Sequence, residues 1–358
     1  MRFIHAANLK LGTGSDPSRE WTGNREEELW EDVEKLADAV RNLSADALFL
    51  TGNVFDHVPS REELDRLDSL FLRLSARVFI VPGELDADER TERVRHFPWR
   101  SRTKVFAGDA VDRVYVPGWE AEITGVGYTK KNYSIVSWGR IEPGVRGAMQ
   151  ILLLPFLGST YTAMLLPEDP GKLPYDYIGT GQSGAVKGLP GYPVYGPGCF
   201  EPEGFSGQKN HGFLLCELKK DDEGKTSLNV RMIRNAKREY RTLKLLLTWE
   251  QTFPEVRDKV SEAIEELGAD NVYRIVFSGP VPPALFYRKE ELLTLGNVTE
   301  VIDRTTEEEL FQHVREYGPT DLTGRLLLNY QEENGGMTEK AFRYALDALL
   351  KTPRESGK

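Results

Sequence analysis

The feature that most constrains this chain is the alternation of apolar runs and amphipathic segments in its first quarter. Short apolar runs predict strands at Arg2–His5, Ala47–Leu50 and Arg77–Val81. Between them, apolar residues recur at helical spacing behind two capping-box patterns, Asn24–Glu27 and Ser60–Glu63. Strands joined by helices pair in parallel, so the sequence predicts a parallel sheet with helices packed on it.

Beyond residue 111 the pattern changes to closely spaced apolar runs separated by Gly and Pro. These runs predict strands at Val114–Val116, Ile123–Val126, Ile151–Leu154, Tyr175–Ile178, Tyr192–Tyr195, Phe213–Leu218 and Leu228–Ile233. We expect them to form a second sheet that packs on the first. The predicted fold class is therefore α/β, with a two-sheet α/β sandwich.

Three regions follow from the change in pattern along the chain. Residues 1–239 are predicted to form the sandwich. Residues 240–304 are predicted to form a small α+β cap domain, with a strand at Leu243–Leu247, a helix at Pro254–Leu267 and a strand at Val272–Phe277. Residues 305–358 read as a helical segment with apolar stripes at helical spacing.

Composition limits the classes of function. The chain has 46 Lys and Arg against 56 Asp and Glu, a net charge of −10, which argues against a basic grip on nucleic acid. Five His and two Cys are too few for a zinc scaffold or a disulfide framework. Cys199 and Cys216 are expected to be free thiols. No apolar run approaches the roughly 20 residues of a membrane span, and the N-terminal residues lack a signal-peptide pattern, so we expect a cytoplasmic protein.

Polar or glycine-rich turns follow the predicted strands where ligand sites of open α/β sheets lie, at the carboxyl ends. They are Asn8-Leu-Lys10, Gly52–Asp56, Gly83–Asp86, Leu154-Pro155 and Gly181–Gly184. In order and spacing they resemble the motifs of calcineurin-like metallophosphoesterases, and most closely those of the SbcD-type nuclease subunit of double-strand-break repair complexes. Gly198–Pro202 resembles a further turn of that family. The resemblance covers residues 1–235 and is weaker beyond them.

The resemblance implies a site for two Mn or Mg ions, but every position that it assigns to a metal ligand or proton donor is changed. Asn8 and Lys10 stand where the family has Asp and His, and Asn53 replaces the bridging Asp. Glu84 replaces an Asn, and Leu85 replaces the general-acid His. Pro155, Gln182 and Gly184 replace the remaining His ligands. Two-metal hydrolysis needs a bridging carboxylate and further donors, so we expect no metal cofactor and no hydrolysis.

Two alternatives stay open at the strand-end turns. One is an active phosphoesterase or DNA exonuclease with a rebuilt site, in which Asp56, His57, Glu84 and Asp86 are the candidate ligands. The other concerns the two new charges in the pocket. Lys10 either replaces the missing metal charge and pairs with Glu84, because an isolated buried ammonium is costly, or both side chains point to solvent.

The helical tail contains the residues that are expected to bind a partner protein. Two short amphipathic helices resemble the segment by which SbcD-like subunits grip the coiled coil of an SbcC-type SMC-like ATPase. The alternative is that they pack on their own protein. The candidate partner-binding residues are Leu326, Tyr330, Phe342, Leu346 and Leu349. DNA is expected to bind weakly at most, through Lys10, Lys130 and Lys131, and a homodimer stays open.

Overall fold

The structure, a computed structural model, describes residues 1–12, 25–83, 89–106, 111–127, 141–155, 172–181, 191–205, 211–247, 251–279, 289–304 and 325. The chain divides into two compact units, Met1–Lys237 and Arg238–Lys358. Among the described residues, no helix is long and apolar enough to cross a membrane.

The first unit begins with the predicted alternation of strands and helices. Its elements up to residue 105 are β1 (Arg2–Ala7), α1 (Arg25–Asn42), β2 (Ala47–Gly52), α2 (Arg61–Leu72), β3 (Arg77–Pro82), α3 (Glu89–His96) and β4 (Thr103–Val105). Strands β1 to β4 are parallel neighbours. The parallel pairing of β1, β2 and β3 was predicted, whereas β4 was not. The Ser60–Glu63 capping box is confirmed, because each residue's side chain accepts a hydrogen bond from the other's backbone N–H. Asn24 lies outside the described residues.

The remaining strands of the first unit are short and closely spaced. They are β5 (Asp112–Val116), β6 (Ala121–Gly125), β7 (Met149–Leu154), β8 (Tyr177–Thr180), β9 (Val194–Tyr195), β10 (Gly212–Lys220) and β11 (Thr226–Arg234), with a 3₁₀ turn at Pro117–Trp119. Strands β5 to β9 form a second, five-stranded sheet. One assignment needs correction: the runs at Phe213–Leu218 and Leu228–Ile233 belong to the first sheet, where β10 pairs antiparallel with β1 and β11 with β10. These two runs are neighbours in sequence, and they form an antiparallel hairpin that extends the first sheet beside β1.

The two sheets pack face to face, as predicted. Strands β1 to β3 alternate their side chains, so one face meets the helices and the other meets the second sheet. Phe3, Phe49 and Phe79 lie on the inner face and are fully buried with Ile151 and Tyr177 of the second sheet. The rings of Phe3 and Tyr177 meet edge to face with centroids 4.9 Å apart, which ties the two sheets together through aromatic packing.

The described part of the second unit is a three-stranded parallel sheet with helices. Its elements are β12 (Tyr240–Leu246), α4 (Phe253–Leu267), β13 (Val272–Ser278), α5 (Lys289–Leu293) and β14 (Val298–Asp303). All strand pairs are parallel. The predicted α+β class is therefore corrected to α/β for residues 240–304, because each parallel connection requires a crossover and α4 supplies the first of them.

Candidate functional site

The strand-end turns of the first unit come together, as their positions at the carboxyl ends of the strands suggested. Asn8 follows β1, Asn53 follows β2, Pro155 follows β7 and Gly181 follows β8. A Cβ atom built on Gly181 would lie 2.3 Å from the carbonyl oxygen of Pro155 and 2.4 Å from the backbone nitrogen of Gly52. The ends of both sheets therefore meet at one place, and we call these residues the strand-end cluster.

Asn8 holds this cluster together with its side chain. Its Nδ2 donates to the carbonyl oxygen of Gly181 at 2.7 Å, and its Oδ1 accepts from the backbone N–H of Asn53 at 3.0 Å. The residue is only 5 % exposed and has a left-handed backbone with φ of 51°, a conformation in which Asn is enriched. The carboxamide thus bridges the two sheets, and both of its ends are used in structural hydrogen bonds.

Close backbone approach explains two glycines of the cluster. Gly52 has φ of 79°, and a Cβ there would lie 2.4 Å from Oδ1 of Asn8. A Cβ on Gly83 would lie 2.4 Å from Oδ1 of Asn53, so the Asn53 carboxamide lies against that glycine. Only residues without a Cβ fit at these two positions.

Lys10 is mostly buried and paired with a carboxylate that sequence reasoning did not select. Its Nζ forms a salt bridge with Oε1 of Glu203, and its side chain is 21 % exposed. The thiol of Cys199 donates to the same oxygen at 3.2 Å. Glu203 is therefore one partner of Lys10, and the predicted partner, Glu84, lies outside the described residues. The alternative, in which both Lys10 and Glu84 point to solvent, stays a prediction because Glu84 lies outside the described residues.

The pair formed by Asp56 and His57 is positioned by neighbouring elements. The backbone N–H of Asp56 donates to the carbonyl oxygen of Leu11 at 2.9 Å. Nε2 of His57 lies 3.0 Å from the carboxylate of Glu63 in the capping box of α2. Its ring covers Gly12, where a Cβ would lie 2.1 Å from the imidazole. His57 therefore has a packed, hydrogen-bonded position.

Other candidate residues lie outside the described ranges. They are Glu84, Leu85, Asp86, Gln182 and Gly184 of the strand-end turns, Lys130 and Lys131, and the tail residues Leu326, Tyr330, Phe342, Leu346 and Leu349. Their roles stay predictions.

Strands β1, β2 and β8 also carry a buried polar network that the sequence pattern did not reveal. His5 lies on β1 and is fully buried. Its Nδ1 lies 2.7 Å from the hydroxyl of Tyr177, and its Nε2 lies 2.7 Å from the hydroxyl of Thr51. Burial lowers the pKa of His5 to about 3, so the ring is neutral at physiological pH. Burial likewise raises the pKa of the neighbouring Cys216 thiol to about 12. The network therefore holds neutral groups and links β1, β2 and β8.

The expectation of free cysteines is confirmed, since Cys199 and Cys216 are both buried thiols. Within the described ranges, no three His, Cys, Asp or Glu side chains converge as a metal-binding group. No known family model matches the chain, and no curated protein matches it.

Proposed function

We propose that this protein is a non-hydrolytic, SbcD-like subunit with a metallophosphoesterase-type sandwich. It would act as a structural or regulatory partner of an SbcC-type SMC-like ATPase in DNA repair or processing. The observation that carries the proposal is the use made of Asn8. At the position where the resemblance implies a metal-ligating Asp, the carboxamide joins the backbones of Gly181 and Asn53.

The arrangement of the turns supports the metallophosphoesterase part of the proposal. The resemblance assigns the positions of Asn8, Asn53 and Pro155 to a single site, and these residues lie in one cluster at the ends of two packed sheets. Motif order in sequence and proximity in space are independent observations. Their agreement favours a shared scaffold over five unrelated turns.

The donors of the cluster do not fit a pair of divalent ions. Oδ1 of Asn8 already accepts a backbone hydrogen bond, and Pro155 has no ligating side-chain atom. Lys10 brings an ammonium group to a position where the resemblance implies a neutral imidazole. Hard divalent ions require several free oxygen or imidazole donors, and a fixed cation beside them opposes binding. This donor set supports the proposed loss of hydrolysis.

The alternative of an active enzyme with a rebuilt site gains little from the described ligands. His57, one of its four candidate ligands, has Nε2 next to Glu63 and its ring against Gly12, and its Nδ1 has no hydrogen-bond partner among the described residues. The competing activity would therefore depend on Asp56 and Nδ1 of His57 together with Glu84 and Asp86. We retain it as the outcome that the metal measurement in the Discussion would reveal.

Binding to the ATPase is expected to depend on the apolar stripe of the tail. The full chain should co-purify with an SbcC-type ATPase, such as one encoded beside it, when both are co-expressed. Phe342→Glu combined with Leu346→Glu should weaken binding at least tenfold, since each buries a charge in an apolar groove. Arg343→Glu, a charge change at a polar position of the same stretch, is the matched control.

The readout is the dissociation constant of the purified full-length complex, with melting temperature measured alongside. Unchanged binding by the double variant at unchanged melting temperature would overturn the assigned partner surface. A melting temperature that falls in the double variant but not in Arg343→Glu would favour the alternative that the tail packs on its own protein.

A further inference from the structure

A group of charged side chains is buried between α1 and the segment that follows β9, away from the strand-end cluster. Arg25, Glu28 and Asp32 lie on α1, and Glu201 lies in the segment 199–205. Their exposed fractions are 8 %, 3 %, 0 % and 5 % in that order. Charged groups are almost never so deeply buried unless each is paired, so the contacts within this group must be accounted for.

Arg25 is the buried cation of the group. Its Nη2 lies 3.3 Å from Oε2 of Glu201 and 3.4 Å from the carbonyl oxygen of Pro202, and its Nη1 lies 3.8 Å from Oε2 of Glu28. These contacts fix one oxygen of Glu201 and the peptide after it. Arg25 therefore anchors the 199–205 segment to the first turn of α1.

Two lysines face the group from its rim. Nζ of Lys35 on α1 lies 2.5 Å from Oδ1 of Asp32, and Nζ of Lys237, after β11, lies 3.5 Å from Oε1 of Glu28. Both lysines are more than a third exposed, so water screens their charges. Asn235 donates a hydrogen bond from its side chain to the backbone carbonyl oxygen of Asp32, so this bond does not involve the Asp32 carboxylate.

One oxygen of each of two carboxyl groups remains without a donor. Oδ2 of Asp32 and Oε1 of Glu201 are fully buried, and no N–H or O–H group of the described residues reaches them. A proton on Glu201 resolves both, because the acid then donates a hydrogen bond to Asp32. Burial and, next, the nearby Asp32 carboxylate raise the pKa of Glu201 to about 8, with Arg25 opposing the shift.

We propose that Asp32 and Glu201 share one proton, and that this proton latches the 199–205 segment onto α1 and releases it when lost at alkaline pH. The latch also concerns Lys10, two residues after Asn8 of the strand-end cluster, because the same segment carries Cys199 and Glu203. Oε1 of Glu203 pairs with Lys10 and accepts a hydrogen bond from the thiol of Cys199. The proposal does not depend on the proposed function.

The pH dependence of folding has a defined sign. Glu201 is protonated in the folded chain up to about pH 8, whereas an unfolded glutamate ionises near its ordinary pKa of 4.5. The folded state then binds the extra proton, so stability falls as pH rises across this window, by up to about tenfold per pH unit in the unfolding constant. His5 acts in the opposite direction around and below its ordinary pKa of 6.5, and Cys216 acts in the same direction around and above its ordinary pKa of 9. Both contributions are small between pH 6.5 and 8, and the comparison with Glu201→Gln in that interval removes them.

Glu201→Gln is the first test, measured by urea unfolding of the full chain at several pH values in that interval. The amide donates to Asp32 and accepts from Arg25 without titrating, so the variant should lose the fall in stability that the wild type shows. Glu26→Gln removes an exposed carboxylate on the same helix and should keep it. Equal slopes for wild type and Glu201→Gln would overturn the proposal.

Release of the segment is tested through the buried thiol of Cys199. The rate of maleimide labelling at Cys199, read by peptide mass spectrometry, is divided by the rate in Glu201→Gln at the same pH, which cancels the intrinsic reactivity of the thiol. The ratio should stay near one at pH 6.5 and rise about tenfold by pH 9, as ionised Glu201 accumulates. A ratio that does not change with pH would contradict the latch. Should Glu201→Gln fail to fold, Asp32→Asn serves as the second variant. Its amide can donate a hydrogen bond to ionised Glu201, so the rise in labelling with pH should be weaker than in the wild type.

Discussion

Gly181→Ala is expected to destabilise the first unit by roughly 3 kcal/mol or more. The added methyl would lie 2.3 Å from the carbonyl oxygen of Pro155 and 2.6 Å from Cα of Gly52. Both are backbone atoms of strand-end turns, so no side-chain rotation relieves the clash. The turns must separate instead, and with them the hydrogen bond that joins Asn8 to Gly181.

The matched control is Gly118→Ala, in the 3₁₀ turn at Pro117–Trp119, where a Cβ would meet no atom within 4 Å. Its unfolding free energy should change by about 0.5 kcal/mol at most. Urea unfolding of both full-length variants measures the difference. A Gly181→Ala variant as stable as the control would show that the two sheet ends do not approach as described.

Asn8→Asp is expected to destabilise the fold by about 2–4 kcal/mol, although it changes only one side-chain atom type. The new oxygen would take the place of Nδ2 and lie 2.7 Å from the carbonyl oxygen of Gly181, so a buried hydrogen bond becomes a repulsion between two acceptors. The change also places a charge at a position that is 5 % exposed. Asn229→Asp, the same substitution on the exposed side of β11, should cost less than about 1 kcal/mol.

Manganese adds a second readout to the same variant. Asn8→Asp restores the carboxylate that the family resemblance assigns to the first metal ligand. If the rest of the cluster still formed a metal site, about 1 mM Mn²⁺ would selectively stabilise this variant by mass action. We expect its melting temperature to rise no more than that of the wild type. A selective rise would reveal a latent metal centre and would argue against a cluster rebuilt for structural hydrogen bonding.

Local patterns predicted most elements of the first unit because their signals lie within a few residues. The Ser60–Glu63 capping box and the apolar stripe behind it define α2 with no knowledge of the rest of the chain. The same holds for β2, whose continuous apolar run reflects burial on both faces. Sheet membership of β10 was not predictable in this way, because a strand's own pattern does not specify which strand it pairs with.

Positions of the site were predictable from turn order, but its contacts were not. Lys10 pairs with Glu203, which lies far along the chain and on a different loop, so no spacing rule links the two. The hydrogen bond from Asn8 to Gly181 is equally distant in sequence. The buried pair of Asp32 and Glu201 was hidden for another reason: on α1, Asp32 reads as a polar helix residue, and only the three-dimensional packing shows it to be fully buried.

Manganese binding and DNA cleavage by the purified full-length wild-type protein test the central claim most directly. The sample would be equilibrated with Mn²⁺, freed of unbound metal, analysed for metal content, and assayed on linear duplex DNA beside an active nuclease of the family. We expect no stoichiometric Mn²⁺ and no cleavage above the buffer control. A bound pair of Mn²⁺ ions, together with cleavage that Glu84→Ala abolishes, would contradict it and establish the alternative of an active enzyme.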